Sequence, residues 1–226
     1  SENGLTGDGT LQVSGGTLTV FNSNAGLLGN TLIEKGAAVA LTGLGNLGSA
    51  AIAVGGELKL SVSQALANIL RSAGEINTDG DVELTGKNSF TGTHNLLGSG
   101  TLTIGAANNL GDDSAKVSLN KGTALILSAL NGTVNNAITG VAGSTVSLVS
   151  AAQATLGGDN SHFEGTYNVS GNSTLSVGTT DQLGADASVL LADTGDTLNL
   201  NDFGETFSNS VQGTGTLSLT QGSSAT

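Results

Sequence analysis

FTGTHNLLGSGTLTIGAANNLGDDSAKVSLNKGTALIL, residues Phe90 to Leu127, lies without a gap on Phe163 to Leu200, FEGTYNVSGNSTLSVGTTDQLGADASVLLADTGDTLNL, at an offset of 73. Fourteen of the 38 positions are identical, among them Phe90/Phe163, Gly92/Gly165, Thr101/Thr174, Leu110/Leu183, Gly111/Gly184 and Gly122/Gly195. The offset continues into a third element, where Val134-x-Asn136-x-Ile138-x-Gly140 matches Phe207-x-Asn209-x-Val211-x-Gly213. Leu66-x-Asn68-x-Leu70-x-Ser72 is an earlier copy, and its repetition overrules the amphipathic helix that Val62, Leu66, Ile69 and Leu70 would suggest alone. Upstream, Gly15 to Val20, Leu28 to Leu41 and Leu47 to Leu60 echo the first two elements.

Inside each copy the apolar residues alternate: Leu18 and Val20, Leu58 and Leu60, Val82 and Leu84, Leu102 and Ile104, Leu125 and Leu127, Val146 and Leu148, Leu175 and Val177, Leu198 and Leu200, Leu217 and Leu219. Period two is the mark of a strand with one buried face, and Gly-rich breaks separate the strands. No copy can bury that face alone, so neighbouring copies must stack. A 73-residue unit of three elements gives about 24 residues per element, the size of one solenoid coil and too small for a propeller blade. The expected fold is therefore all-β, a right-handed parallel β-helix of about 24 residues per coil, forming one unit over residues 1–226.

Composition agrees with this reading. The chain has 36 Gly and no Pro, Cys, Met or Trp, with 37% apolar residues and 3% aromatic. A ladder paired on both sides needs every N–H it can get, which Pro cannot supply. Absence of Cys removes thiolate metal sites, disulfides and a cysteine nucleophile. Eighteen acidic against six basic residues give a net charge of −12, which opposes nucleic acid and anionic membranes as partners. No apolar run has the length of a membrane helix.

The pattern FxGTxxΦ, GTLTΦ, LGxxxxΦxΦxxGxxLxL (Φ, aliphatic) resembles the passenger-associated repeat of bacterial autotransporters, the self-exporting surface proteins of Gram-negative bacteria. Phe90-Thr91-Gly92-Thr93, Gly100 to Ile104, Leu110-Gly111 and Gly122 to Leu127 carry the resemblance most fully. It implies a β-helical passenger segment, an adhesin or virulence factor exported through an outer-membrane β-barrel that lies outside these residues, and then displayed at the cell surface or secreted. On that view the stretch is part of a longer passenger, without signal peptide or barrel. It mediates autoaggregation and biofilm formation or adhesion to a host surface or matrix molecule. The alternatives are a passive stalk and a polysaccharide-degrading β-helix enzyme.

Candidate chemistry is sparse. Gly43-Leu44-Gly45-Asn46-Leu47-Gly48 spells GxGxxG, but a strand follows where a dinucleotide site needs a helix. Asp112-Asp113-Ser114 is expected to be a corner, because neither His94 nor His162 sits in a protease-like motif; His94, aligned with Tyr167, is expected on an outward strand position. Asp79, Asp81 and Glu83 read as a solvated edge, and no tandem nonapeptide of a calcium roll occurs. The six basic residues are scattered and aromatic platforms are missing, which argues against a glycosidase. No catalytic, metal or cofactor site is expected. The expected contact surface is made of outward polar residues, Thr101, Thr103, Ser118 and Thr174, and the direct insertion of this segment into a membrane is not expected.

Overall fold

The computed structural model describes residues 4–220 and is a parallel β-helix of about ten coils. Each coil has up to three short strands, so the rod has three faces. The second face carries Gly16–Val20, Ala37–Leu41, Glu57–Leu60, Glu75–Thr78, Thr93–Leu96, Lys116–Leu119 and Ala137–Gly140. Eight strands from Gln64–Leu66 to Ser210–Gly213 form the third. The first face is built in two halves, five strands from Leu11–Val13 to Ser89–Phe90 and five from Asn131–Val134 to Thr216–Thr220, separated by a 3-10 turn at Ala107–Asn109. All strand pairings are parallel, and partners lie from 18 residues apart (Ile52 opposite Leu70) to 23 apart (Thr101 opposite Ala124).

The coil is thus shorter than the expected 24 residues, and the reason is geometric. Thr101 lies in the third face and its repeat counterpart Thr174 in the first, so 73 residues make three coils plus one further face, about 22 per coil. The sequence unit is a strand–corner–strand pair, a helical turn and a second such pair. In the first copy the turn is Ala107–Asn109; in the second it is the short α-helix Thr180–Leu183, which replaces a strand on the second face. Strands in every copy run on without regard to which face they occupy.

The gap-free alignment also slips by one residue in its middle. Corner 111–115 is one residue longer than 184–187, so Val117 corresponds to Val189 and Leu119 to Leu191. Leu190, aligned with Val117, points outward and is 38% exposed, since a one-residue shift reverses a strand's faces. The columns are otherwise as expected: Leu102, Ile104, Leu125, Leu127, Leu175, Val177, Leu198 and Leu200 are fully buried. Leu217 and Leu219 are 43% and 47% exposed, because no described coil covers the last strand.

Two repeated signatures hold the corners. In Leu110-Gly111 and Leu183-Gly184 the glycines have φ of +118° and +95°, and a Cβ would run into the carbonyl oxygen of Phe90 or Phe163 one coil below. The carbonyls that these corners free are taken up by the repeated asparagines. Asn136 Nδ2 donates to the Asp112 and Ala115 oxygens (2.8 and 3.0 Å), and Asn209 Nδ2 to those of Gly184 and Ala187 (2.6 and 2.9 Å). Asn68 does the same for Gly48 and Ala50 (3.1 and 2.6 Å). Burying a polar amide is tolerable only with such partners.

Stability should be local, because each coil touches only its neighbours. Leu102→Asp buries a carboxylate in the column and is expected to cost several kcal/mol. Gly111→Ala combines strain at positive φ with a backbone clash and should cost at least about 1 kcal/mol. Urea melts followed by hydrogen exchange should place the loss of protection in the coils flanking each substitution.

Candidate functional site

The side chains with chemical potential are few and mostly apart. His94, expected outward, is instead fully buried: in Thr93–Leu96 it shares the inward set with Leu96, while Thr93 and Asn95 face out. Its ring lies edge-on to Phe90 with centroids 4.9 Å apart, and Tyr167 lies against Phe163 at 4.8 Å in the second copy. In both, the Phe ring occupies space that a side chain at Gly92 or Gly165 would need: a Cβ there would sit 2.6 Å from the ring Cζ. The Phe-x-Gly-x-aromatic signature is therefore a core plug. His94 Nε2 is 2.8 Å from the Leu110 carbonyl oxygen, which only accepts, so Nε2 carries the proton and Nδ1 is left bare and unpartnered. Burial lowers the imidazole from its ordinary 6.5 to about 4 against a smaller opposing contribution from the Leu110 carbonyl. Burial likewise raises the Tyr167 phenol, whose hydroxyl also lacks a partner. Neither group is accessible to a substrate.

Asp112-Asp113-Ser114 is an exposed corner in which Asp112 Oδ1 accepts from the Ser114 N–H and hydroxyl, both at 3.2 Å. Asp113 accepts from Asn135 at 3.2 Å. The sequence reading passed over one histidine–serine contact: Ser161 Oγ lies 3.1 Å from His162 Nδ1, and the Ser161 N–H donates to Asp159 Oδ1 at 3.0 Å. Hydrogen bonds to Asp159 from the Ser161 hydroxyl, and second from the Ser161 N–H, hold this exposed carboxyl below its ordinary value. The aspartate thus holds the serine rather than orienting the imidazole, which is not the order that nucleophilic activation needs. GxGxxG at 43–48 is a corner without a helix behind it. Asp81 and Glu83 do alternate outward from Val82 and Leu84, and Asp81 accepts from Thr101 at 2.8 Å. Among the described residues no three His, Cys, Asp or Glu side chains gather where they could hold a metal ion.

The four expected contact residues are outward and half-buried, but the fold divides them. Thr101 and Thr103 stand on the third face, Ser118 on the second and Thr174 on the first. What the fold does assemble is larger. From Thr101 onward the outward positions of the third face hold only uncharged residues, including Thr101, Thr145, Thr166 and Ser188 in one row; Thr166 Oγ1 and Ser188 Oγ are 2.9 Å apart. From Asn131 onward the first face is also uncharged, with rows such as Gln153, Thr174, Thr197 and Thr216. Carboxylates in this part of the rod all lie outside the strands: Asp112, Asp113, Asp159, Glu164, Asp186, Asp193, Asp202 and Glu205 in the connecting stretches, Asp181 on the helix Thr180–Leu183, and Asp196 buried. Two flat polar faces are separated by acidic edges.

No protein-family model matches the chain, and no solved structure matches it. Over 175 residues, 76% of this chain, it is 33% identical to the uncharacterized lipoprotein YdeK of Escherichia coli (strain K12). The chain spans 13% of that protein's length.

His94 gives a pH test. The folded imidazole stays neutral to about pH 4 while the unfolded one protonates near 6.5, so between these values the unfolded chain binds the extra proton. Stability is full above pH 6.5 and falls as pH drops towards 4, by about 3 kcal/mol in total. The difference between wild type and His94→Tyr, which installs the residue of the second copy, should show this slope in melts at pH 7, 5.5 and 4.

Proposed function

We propose that this chain is a non-enzymatic stretch of a surface-displayed bacterial β-helix, of the autotransporter passenger type, whose strand faces make adhesive contacts between cells. The observation that carries the reading is the separation of charge: from Thr101 onward on the third face and from Asn131 onward on the first, the outward rows are uncharged and mostly hydroxyl and amide, interrupted on the third by Ala124, Ile126 and Leu190, and the carboxylates of this part stand outside the strands. A flat face of this kind offers many weak hydrogen bonds in parallel, which suits multivalent contact. The rod is filled with aliphatic side chains, and its two histidines are placed for packing or for a turn. Resemblance to a lipoprotein supports an envelope-associated location, and export through an outer-membrane barrel belongs to the same proposal.

Two rods at −12 repel one another until salt screens them, and the screening length is about 8 Å at physiological ionic strength. Clumping of cells that display the segment should therefore strengthen from low to physiological salt. Because the contact residues lie on three faces, the substitutions tell the faces apart: Thr101→Glu with Thr103→Glu for the third, Ser118→Glu for the second, Thr174→Glu for the first. Settling assays should show loss for the face that meets a neighbour and wild-type behaviour for the others. Unchanged settling in all three would leave the segment as a stalk. Replacing Asp112, Asp113 and Ser114 together by Ala should leave clumping intact at equal display, whereas its loss would revive a catalytic corner.

A further inference from the structure

The third-face ladder begins two coils later than the other two. The first and second faces already have strands at Leu11–Val13, Thr31–Ile33, Gly16–Val20 and Ala37–Leu41, yet the third starts only at Gln64–Leu66. In the coils before it, 21–30 and 42–51 cross that side as irregular chain. The strand Gln64–Leu66 pairs on one side only, with Asp81–Leu84, and its other edge faces a notch of about 310 Å³. Asn46 and Gly48 border the notch on one side and residues 64–68 on the other. This edge is a break within the rod rather than one of its ends.

Several features make the notch a template for a strand. The Leu66 carbonyl oxygen accepts from Thr85 N–H (3.1 Å), so the backbone groups of Gln64 and Leu66 turn towards the paired strand. Those of Ala65, between them, turn into the notch. Ala65 and Ala67 are exposed, and neither the Lys nor the Pro that commonly guards an edge is present in residues 64–68. Gln64 Nε2 is buried without a partner. Phe21, Leu28 and Leu44 are 57%, 65% and 80% exposed on the irregular segments of this side, with the Leu44 N–H donating to the Phe21 carbonyl at 2.9 Å. Charge sets the sign of the partner. Glu83 stands directly opposite Ala65 and Asp81 is its outward neighbour, so an added strand would lie about 10 Å from two carboxylates with only small side chains between.

We infer that this notch binds an extended peptide segment of a partner protein by strand addition to the free edge of Gln64–Leu66, with alternating aliphatic and basic residues. Backbone hydrogen bonds would supply the affinity and the alternation the specificity. The aliphatic residues would turn inward on the same side as Leu66, and the basic ones would face Asp81 and Glu83. This reading is independent of the adhesive faces, which lie farther along the rod.

The test uses fluorescein-labelled acetyl-Gly-Lys-Leu-Lys-Ile-Gly-amide and its Glu-for-Lys counterpart, followed by anisotropy at low salt. The Lys peptide should bind saturably and more tightly than the Glu peptide by several-fold. Ala65→Pro removes the free edge N–H at a position where an edge strand tolerates Pro. It should weaken the Lys peptide at least tenfold with an unchanged circular dichroism spectrum and melt. Asp81→Asn with Glu83→Gln should erase the preference for Lys over Glu while strand addition persists. Should Ala65→Pro lose its coils, a Lys peptide N-methylated at its four central residues decides the matter on the unaltered protein, where binding should vanish. Absence of saturable binding overturns the inference. So does binding that survives both Ala65→Pro and N-methylation, which would be general attraction to an acidic rod.

Discussion

Everything in this rod depends on one requirement, that each coil must offer its backbone edge to the next in register. A parallel ladder leaves no strand N–H to spare, so proline is absent from the whole chain. Register also fixes what may stand inside. Leu102 lies opposite Leu125, Leu125 opposite Val146, and Val146 opposite Tyr167, so each inward residue packs on the one below and must match its width. Mostly small aliphatic side chains follow from this, with aromatic residues used in pairs where a corner leaves room, as with Phe90 and His94 or Phe163 and Tyr167.

Corners are the second demand, since three turns per coil strand carbonyls that no ladder can satisfy. The repeated Leu-Gly and the repeated asparagine are two halves of one answer: glycine lets the chain pass close over the coil below, and the amide of the following coil collects the carbonyl oxygens. The same device recurs in other forms. Asn160 donates to the Gln182 carbonyl while its Oδ1 accepts from the Ile138 N–H, and Asn88 Oδ1 accepts from Leu70 N–H. Where no asparagine serves, Asp196 is buried between the N–H groups of Ser173 and Asp193. The corners at Asn88 and Asn160 each link three coils and the others two, which spreads cohesion along the axis.

The alternating aliphatic pairs made the strands and the solenoid legible in the sequence, because period two states which face is buried. Coil length was not legible from the repeat, since 73 residues end one face further round and the sequence does not say where a turn closes. The one-residue slip at Leu190 was hidden by the same identity that revealed the repeat: Gly111/Gly184 and Gly122/Gly195 match on both sides of it. His94 was expected outward together with its counterpart Tyr167, yet both alternate in step with an inward aliphatic residue, Leu96 or Val169, and His94 lies opposite Ile76 and Val117, so both belong to the column. Thr101, Thr103, Ser118 and Thr174 do point outward, as alternation with the column requires, but alternation does not say which outward residues share a face. That depends on the coil count, where the reading of the repeat was off.

Charge distribution follows from the same constraint. Strand positions alternate between a column that excludes charge and a flat face where neighbours stand about 4.8 Å apart on successive coils. Like charges stacked at that spacing would repel along the whole ladder. Corners are more widely splayed and wet, so they are the places where an acidic chain can put its carboxylates at little cost. Acidic edges framing neutral faces are thus a consequence of stacking, and any contact between rods has to be made within those frames. Strand positions carry charge at Glu57, Lys59, Glu75 and Lys116 on the second face and Arg71 on the first, and on the third only in the stretch of Asp81 and Glu83. It lies beside the point where the third-face ladder begins and its edge is left open, so the acidic strand pair of the third face flanks that free edge.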